Sequence, residues 1–297
     1  MAESPAHRLG QILGEVIEIA VEALLGPVAQ RHQLYLDKKE ARPVRRGVKC
    51  SWKDSYENTH DLDYVLERGG TKHKTGTPVA FVESAWRSYT KHSRAKAQEI
   101  QGAVLPVVDR HRMDAPFTGV VVAGMFTEGA LTQLRSLGFE VLFFSVAEVV
   151  TAFKTEGVDV SFAENTPVNQ LAKKVKALEK LSTNQRRSIA SRLLKGSPGK
   201  IKKFMGALES AITRQVQSVR ILPLHGEATE RETVAEAIHF VNGYKSGAPV
   251  LPLEKFEILV KFNNGNRIEG EFEDAESAVK FLEMFQTALK PVVVPGG

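Results

Sequence analysis

The stretch DLDYVLE at residues 61–67, a glycine-rich loop and the stretch VAFVESAWR at residues 79–87 together decide the fold prediction. Both stretches are rich in apolar residues, and the loop RGGTKHKTGTP between them contains three glycines. Short apolar runs separated by a turn-forming segment are typical of antiparallel strands joined as a hairpin. We therefore predict that residues 61–87 form one hairpin of a β-meander.

Acidic residues lie inside this apolar hairpin. Asp61 and Asp63 begin its first strand, and Glu83 lies in the middle of its second strand. If Glu67 pairs with Val79, Asp63 falls opposite Glu83, and such cross-strand neighbours are roughly 5 Å apart. Two carboxylates that close repel each other, so they need either lysine and arginine partners or a cation between them. Their joint occurrence on neighbouring strands favours the cation, and Mg²⁺ prefers hard oxygen ligands.

The sequence on either side of the hairpin predicts a mixed sheet. Before the hairpin, apolar residues recurring at intervals of three and four predict a helix over residues 7–31, and residues 48–54 are strand-like. We expect the α/β (α+β) class, with a mixed β-sheet core flanked by helices. After the hairpin, helix and strand alternate over residues 88–107, 118–126, 128–137, 140–145 and 146–154.

Three parts are predicted along the chain. Residues 1–157 contain the sheet, residues 158–216 are helical, and residues 217–297 form a small α+β C-terminal domain. In the helical part, Ser197 followed by Pro198 is a typical helix start, because serine caps the first turn and proline is tolerated at its first position. The role of the C-terminal domain stays open.

The positive charge of the chain is concentrated in its helical part. The 40 Lys and Arg residues against 35 Asp and Glu residues give a net charge of +5. Between Gln170 and Lys203, eleven basic residues stand against Glu179 alone, which gives +10 there and leaves −5 for the remainder. Such a run is either a solvated helical face or a surface for DNA phosphates, and its density favours the second. The residues predicted to bind nucleic acid are Arg186, Arg187, Arg192, Lys195, Lys200, Lys202 and Lys203.

Several classes of protein are disfavoured. A single cysteine, Cys50, excludes an internal disulfide framework and a cysteine-rich zinc module. The sequence has no His-x-x-x-His pair and no phosphate-binding Gly-x-x-x-x-Gly-Lys-Ser/Thr loop. It also has no uncharged apolar run of roughly 18 residues and no basic start followed by an apolar core. We expect a cytoplasmic protein without a membrane segment.

The order of the elements and the positions of the acids resemble the PD-(D/E)XK nuclease superfamily, the fold of many restriction endonucleases. The resemblance covers roughly residues 9–150. It implies a restriction endonuclease-like core at residues 1–157, with Asp63, or its neighbour Asp61, and Glu83 as catalytic residues that hold Mg²⁺. Some relatives carry Gly-x-x-x-Glu on the first helix, which matches Gly14 to Glu18 and implies that Glu18 assists in metal binding.

The sequence departs from this family at one position. The family's lysine would stand two residues after the strand glutamate, where this chain has Ala85, and an alanine cannot stabilise a phosphate. Some members carry the lysine on the following helix, which makes Lys96 the first candidate and Lys91 the second. Glu99 lies three residues from Lys96, on the same helical face, and is either a metal ligand or the residue that orients the lysine.

We therefore expect a Mg²⁺-dependent endonuclease that hydrolyses DNA, of the type II restriction kind. Cleavage of both strands needs two active sites, so we also expect a homodimer. A non-catalytic DNA-binding or regulatory protein on a degenerate nuclease fold is the alternative, and Ala85 is its main support. An RNA-processing or repair nuclease with the same core is a third possibility, because the sequence does not separate DNA from RNA.

Overall fold

The computed structural model describes residues 4–224, 226–244 and 255–287. The chain separates into two units, Met1–Ile212 and Thr213–Gly297. The helices predicted as a separate part within residues 158–216 belong, as far as Ile212, to the first unit, because they pack against its first helix and its sheet. The predicted α+β class is confirmed, since the described residues form nine α-helices and a mixed sheet.

The first unit begins with a long helix, α1 (Pro5–Arg31). Ser4 caps its first turn, because its Oγ accepts a hydrogen bond from the backbone N–H of His7 at 3.3 Å. Apolar side chains at intervals of three and four are buried along one face, so packing against the sheet holds the helix in place. Pro27 lies inside the helix, which continues to Arg31.

One mixed sheet forms the centre of this unit. Its strand order is β1-β4-β5-β6-β7, in which β1, β4 and β5 are antiparallel neighbours and β5, β6 and β7 are parallel neighbours. Two further strands, β2 and β3, pair only with each other as a separate hairpin. The strands are β1 (Leu34–Lys38), β2 (Cys50–Lys53), β3 (Thr59–Leu62), β4 (Tyr64–Arg68), β5 (Thr77–Arg87), β6 (Phe117–Gly124) and β7 (Glu140–Ser145).

The first strand of the meander differs from the prediction. Residues 48–54 were expected in that place, but β2 lies outside the sheet and β1 takes the position beside β4. The sequence conceals β1 because one of its two buried residues is an acid, Asp37, which is 1% exposed. Two arginines neutralise this carboxylate: Arg42 Nη1 lies 2.8 Å from Asp37 Oδ2, and Arg45 Nη1 lies 2.5 Å from Asp37 Oδ1.

Arg42 also connects this strand to the loop after β4. Its guanidinium is buried, and Nη1 and Nη2 lie 2.5 Å and 3.0 Å from the two carboxylate oxygens of Glu67. It donates further hydrogen bonds to the backbone carbonyls of Thr71 and Lys74 at 2.8 Å each. A buried charge is tolerated only when it is paired and hydrogen-bonded, and this cluster meets both conditions.

The register of the central hairpin is close to the prediction. Tyr64 pairs with Val82 and Leu66 with Ala80. The same register, continued by one residue, makes Asp63 and Glu83 neighbours, as predicted. The pairing of Glu67 with Val79 was wrong, because a bulge after Leu66 shifts the register and Glu67 pairs with Pro78. Such a bulge changes the pairing beyond it and leaves the acid-bearing end unaffected.

Helices cover both faces of the sheet. On one face lie α2 and α3 with the β2–β3 hairpin, and on the other lie α1, α4 and α7, with α5 and α6 packed against α1. A 3₁₀ turn, Thr90–His92, precedes α2, so this helix begins later than the predicted residue 88 and extends beyond the predicted residue 107. The helices are α2 (Ser93–Arg110), α3 (Glu128–Ser136), α4 (Val146–Lys154), α5 (Val168–Glu179), α6 (Thr183–Lys195) and α7 (Pro198–Ile212).

The second unit is a small α+β domain. Its antiparallel sheet has the strand order β11-β10-β8-β9, and the helices α8 and α9 pack against it. Across the described part of the chain, no helix is long and apolar enough to span a membrane. The elements of this unit are β8 (Val216–Pro223), β9 (Thr229–Arg231), α8 (Val234–Gly243), β10 (Phe256–Phe262), β11 (Arg267–Phe272) and α9 (Ala275–Thr287).

Candidate active site

Asp63 and Glu83 are direct neighbours across the hairpin. Asp63 occupies the residue before β4, and its backbone N–H donates a hydrogen bond to Glu83 Oε1 at 3.0 Å. Ser84 completes the arrangement, because its backbone N–H and its hydroxyl donate to Asp63 Oδ2 at 2.8 Å and 3.1 Å. Each carboxylate is thus held by the strand that carries the other, which fixes the orientation of both.

The electrostatics of this pair favour a cation. Glu83 is 5% exposed, and burial together with the neighbouring charge of Asp63 raises its pKa to about 8. Burial and Asp63 also raise the pKa of Glu18 on α1 above its ordinary value. Because burial and a like charge both penalise the ionised form, Glu83 carries a full negative charge at neutral pH only when positive charge is supplied.

A cleft of about 930 Å³ adjoins the pair. Its walls are the N-terminal half of α1 on one side, and the end of β5 with the start of α2 on the other. Asp63 and Glu83 do not line it; they adjoin it through Ser84, which does. Three further predicted residues line the cleft, namely Glu18, Lys96 and Glu99.

Lys96 and Glu99 form one unit on the wall from α2. Lys96 Nζ lies 2.6 Å from Glu99 Oε1, and Glu99 Oε2 lies 3.6 Å from Arg87 Nη2. The positive charge of Lys96 lowers the pKa of Glu83 in part, against the larger effects of burial and Asp63. Lys96 is therefore close enough to influence the acid pair electrostatically, and Glu99 holds its side chain.

The competing candidates lie elsewhere. Asp61 is exposed and forms contacts within the β2–β3 hairpin, where Lys49 Nζ lies 2.6 Å and Ser51 Oγ 2.7 Å from its carboxylate. Lys91 pairs with Glu164 at 3.0 Å and is not among the residues that line the cleft. The geometry thus selects Asp63 over Asp61 and Lys96 over Lys91 as neighbours of Glu83.

The cleft is also lined by a second lysine, Lys39, which was not predicted from the sequence. Lys39 follows the last residue of β1, Lys38, which pairs with Tyr64. Continuing that register by one residue places Lys39 beside Asp63. Its side chain is exposed, lacks an ion pair with any described residue, and lowers the pKa of Glu18 in part, against burial and Asp63. If β1 had been recognised as the strand beside β4, its register would have placed Lys39 next to Asp63.

The donor set suits Mg²⁺ through two carboxylates. Asp63 Oδ1 and Glu83 Oε2 accept no hydrogen bond from any residue that the structure describes, so one oxygen of each acid is available. Mg²⁺ commonly binds through one or two carboxylates while it keeps several waters. Within residues 4–224, 226–244 and 255–287, no cluster of three or more His, Cys, Asp or Glu side chains has a metal-holding arrangement. Glu18 therefore stands near the pair without completing such a cluster.

The basic helices present two kinds of cation. Four are paired with acids distant in sequence: Lys174 with Asp159, Arg186 with Glu15, Lys200 with Glu148 and Lys203 with Glu140. The remaining seven are exposed and form no ion pair with a described residue, so their charge is available at the surface of α5 to α7. These seven are Lys173, Lys176, Lys180, Arg187, Arg192, Lys195 and Lys202.

Comparisons with known proteins add little to this description. No protein-family model matches the chain, and no curated protein matches it. Among solved structures, the chain is similar to the crystal structure of a protein of unknown function, AF1548. That match has 12% sequence identity and a TM-score of 0.29, and it covers 63% of this chain and 99% of the other.

Proposed function

We propose that this protein is a Mg²⁺-dependent endonuclease that hydrolyses DNA phosphodiester bonds, of the restriction endonuclease type. The observation that carries the proposal is the contact between Asp63 and Glu83 beside a cleft flanked by Lys39 and Lys96. Paired carboxylates with adjacent cations suit phosphodiester hydrolysis, because the acids can hold a metal and the cations can neutralise phosphate charge.

The order of the elements supports the same proposal. The sequence of α1, the antiparallel strands β1, β4 and β5, the crossover helix α2 and the parallel strand β6 is the order expected for a PD-(D/E)XK core. The acids stand directly before β4 and within β5, close to where the resemblance implies them. Ala85, where the family has its lysine, is buried, so Lys96 on α2 is the cation that we assign to that role.

In the proposed mechanism, Asp63 and Glu83 would hold Mg²⁺, with Glu18 assisting. When bound, the ion supplies positive charge to the transition state and acidifies the attacking water. Ser84 keeps the carboxylate of Asp63 in place through its two hydrogen bonds. Lys96, oriented by Glu99, neutralises charge on the scissile phosphate.

The direct test is incubation of the protein and Mg²⁺ with plasmid DNA and, separately, with circular single-stranded DNA. Asp63→Ala and Glu83→Ala should each abolish cleavage and leave DNA binding largely unchanged. Asp61→Ala is the matched control, because Asp61 is an exposed acid two residues away and belongs to the separate hairpin. Cleavage by both Asp63→Ala and Glu83→Ala at the wild-type rate would overturn the assignment.

The second candidate function is a non-catalytic DNA-binding or regulatory role on a degenerate nuclease fold. Ala85 favours it, since the usual lysine is missing from β5. Calorimetric titration with Mg²⁺ at pH 8 separates the two functions. The nuclease requires heat of binding that Asp63→Asn removes, whereas a protein with no affinity for Mg²⁺ and no cleavage of DNA fits the second candidate.

If the substrate is duplex DNA, we also propose that the protein acts as a homodimer. Cleavage of both strands at one site requires two active sites, which a symmetric pair of chains supplies. Sedimentation velocity with and without DNA measures this directly. A single chain per DNA molecule, together with nicking of one strand, would remove the dimer from the proposal and leave the chemistry unaffected.

A further inference from the structure

The cleft beside Asp63 and Glu83 has the volume of a pocket for small molecules. Its volume of about 930 Å³ is at the upper end of the roughly 300–1,000 Å³ typical of pockets for small molecules. Helix α1 forms one wall through His7, Gln11 and Glu18, which lie on one face of the helix. A space of this size accommodates a few nucleotides of one strand.

The wall opposite α1 carries an aromatic ring, Tyr89. Tyr89 lines the cleft, and the ring of Phe162 meets it edge-on, with centroids 6.2 Å apart. Lys91 Nζ lies 5.6 Å from the centroid of the Tyr89 ring and is itself tied to Glu164 by an ion pair of 3.0 Å. An aromatic ring that lines a cleft is a suitable platform for a nucleic-acid base, because proteins that bind single strands stack bases on aromatic side chains.

Two lysines line the same cleft as Tyr89. They are Lys39, which continues the register of β1 beside Asp63, and Lys96 at the start of α2. Grooves for single strands combine such cations, which follow the phosphate backbone, with stacking side chains. The cleft has both features next to the acid pair.

We propose that this cleft takes an unpaired DNA strand, with a base stacked on Tyr89 and a phosphate between Lys39 and Lys96. The inference rests on the proposed hydrolysis of DNA phosphodiester bonds. It replaces the uninterrupted duplex of a restriction enzyme by single-stranded DNA, or by the single-stranded arm of a branched duplex, and such a substrate needs no homodimer. A cut within an uninterrupted duplex is the outcome that it argues against.

The first experiment measures binding without cleavage. Fluorescence anisotropy in EDTA, with a labelled 20-nucleotide single strand and its duplex, compares Tyr89→Ala with the control Tyr56→Ala, a change at an exposed tyrosine on the β2–β3 hairpin. Tyr89→Ala should weaken binding of the single strand roughly tenfold, as expected for one stacked base, and change duplex binding less than twofold. Tyr89→Phe should restore the affinity, and Tyr56→Ala should have no effect.

A second variant and a cleavage assay complete the test. Lys39→Ala alters an exposed side chain, so it should fold normally and should also weaken binding of the single strand selectively. With Mg²⁺, a single strand and a flap substrate should be cut at least tenfold faster than the uninterrupted duplex. Equal losses for both DNA forms, unchanged affinity in Tyr89→Ala and Lys39→Ala, or equal cleavage of all substrates would overturn the inference. Absence of any cleavage would refute the nuclease proposal, while the binding experiment would still decide the strand preference.

Discussion

The backbone N–H of Asp63 donates to the carboxylate of Glu83 at 3.0 Å, while the residue after Glu83 returns two hydrogen bonds to the Asp63 carboxylate. Neighbouring strands therefore hold each other's acids in place. The arrangement brings two negative groups together at a site where one of them is 5% exposed. Such a pair lowers the stability of the protein unless a cation or a proton offsets the charge, and this has a measurable consequence.

We predict that Glu83→Gln removes a pH dependence of stability in metal-free buffer. The pKa of Glu83 is raised from 4.5 to about 8, so the folded state keeps its proton at pH values where the unfolded state has lost it. Unfolding then releases a proton, and the free energy of unfolding of the wild type falls as pH rises from about 4.5 to about 8. The fall should be on the order of 3 kcal/mol between pH 5 and pH 8.

Denaturant titrations in EDTA at several pH values measure this effect. The free energy of unfolding of the Glu83→Gln variant should change little with pH in this window, apart from the contribution of groups that it shares with the wild type. At pH 8 the variant should be more stable than the wild type. Parallel curves for the two proteins would show that Glu83 is ionised in the folded state without a metal.

We predict that Arg42→Ala strongly destabilises the first unit. Arg42 is the shared partner of Asp37 and Glu67, which are 1% and 0% exposed. Its removal leaves two buried carboxylates with fewer partners, which typically costs about 3–5 kcal/mol. Thermal and urea unfolding measure the loss. Arg187→Ala, which removes an exposed arginine from α6, should change the free energy of unfolding by less than roughly 0.5 kcal/mol. Similar losses in both variants would contradict this account of the cluster.

Much of the central hairpin could be predicted from sequence. Strand side chains alternate, so an acid at the start of one strand and an acid inside the next fall together whenever the register is right. The register was right from Tyr64 to Leu66 and wrong at Glu67, where the bulge occurs. At the bulge, the carboxylate of Glu67 accepts hydrogen bonds from Arg42 and from the backbone N–H of Gly76, the latter at 2.6 Å, and both partners are distant from it in sequence. No local pattern contains that information.

The remaining differences have the same origin in contacts between distant residues. The strand β1 was hidden because Asp37 becomes compatible with burial only through Arg42 and Arg45, and with it Lys39 was overlooked. The net charge counted along the basic segment was larger than the charge available at its surface. Acids outside the segment pair with four of its cations. Counting charges along a chain does not reveal which of them face an acid after folding.

We predict that Lys96 and Arg94 differ in their effect on cleavage. Lys96→Ala should reduce the rate at saturating DNA by about 100-fold or more, since it removes a preorganised cation from the developing phosphate charge. Arg94→Ala is the control, because Arg94 is an exposed cation of the same helix that does not line the cleft. It should leave the rate within twofold. Single-turnover kinetics with Mg²⁺ measure both, and equal rates for the two variants would remove Lys96 from the mechanism.

We predict that the exposed and the paired cations of the basic helices contribute unequally to DNA binding. Each phosphate contact that is lost lowers the slope of log K against log salt by about 0.9 for duplex DNA. The triple variant Arg187→Ala, Arg192→Ala, Lys195→Ala removes three exposed cations, so its slope should fall by about 2–3. The control variant Lys174→Ala, Lys203→Ala removes two cations that Asp159 and Glu140 already neutralise, and its slope should fall by less than about 1. Anisotropy titrations from 50 to 300 mM salt, roughly the range where such slopes are linear, give both values. If removal of the paired cations lowers the slope as much per residue as removal of the exposed ones, the ion pairs within the protein open when DNA binds. In that case the prediction is wrong.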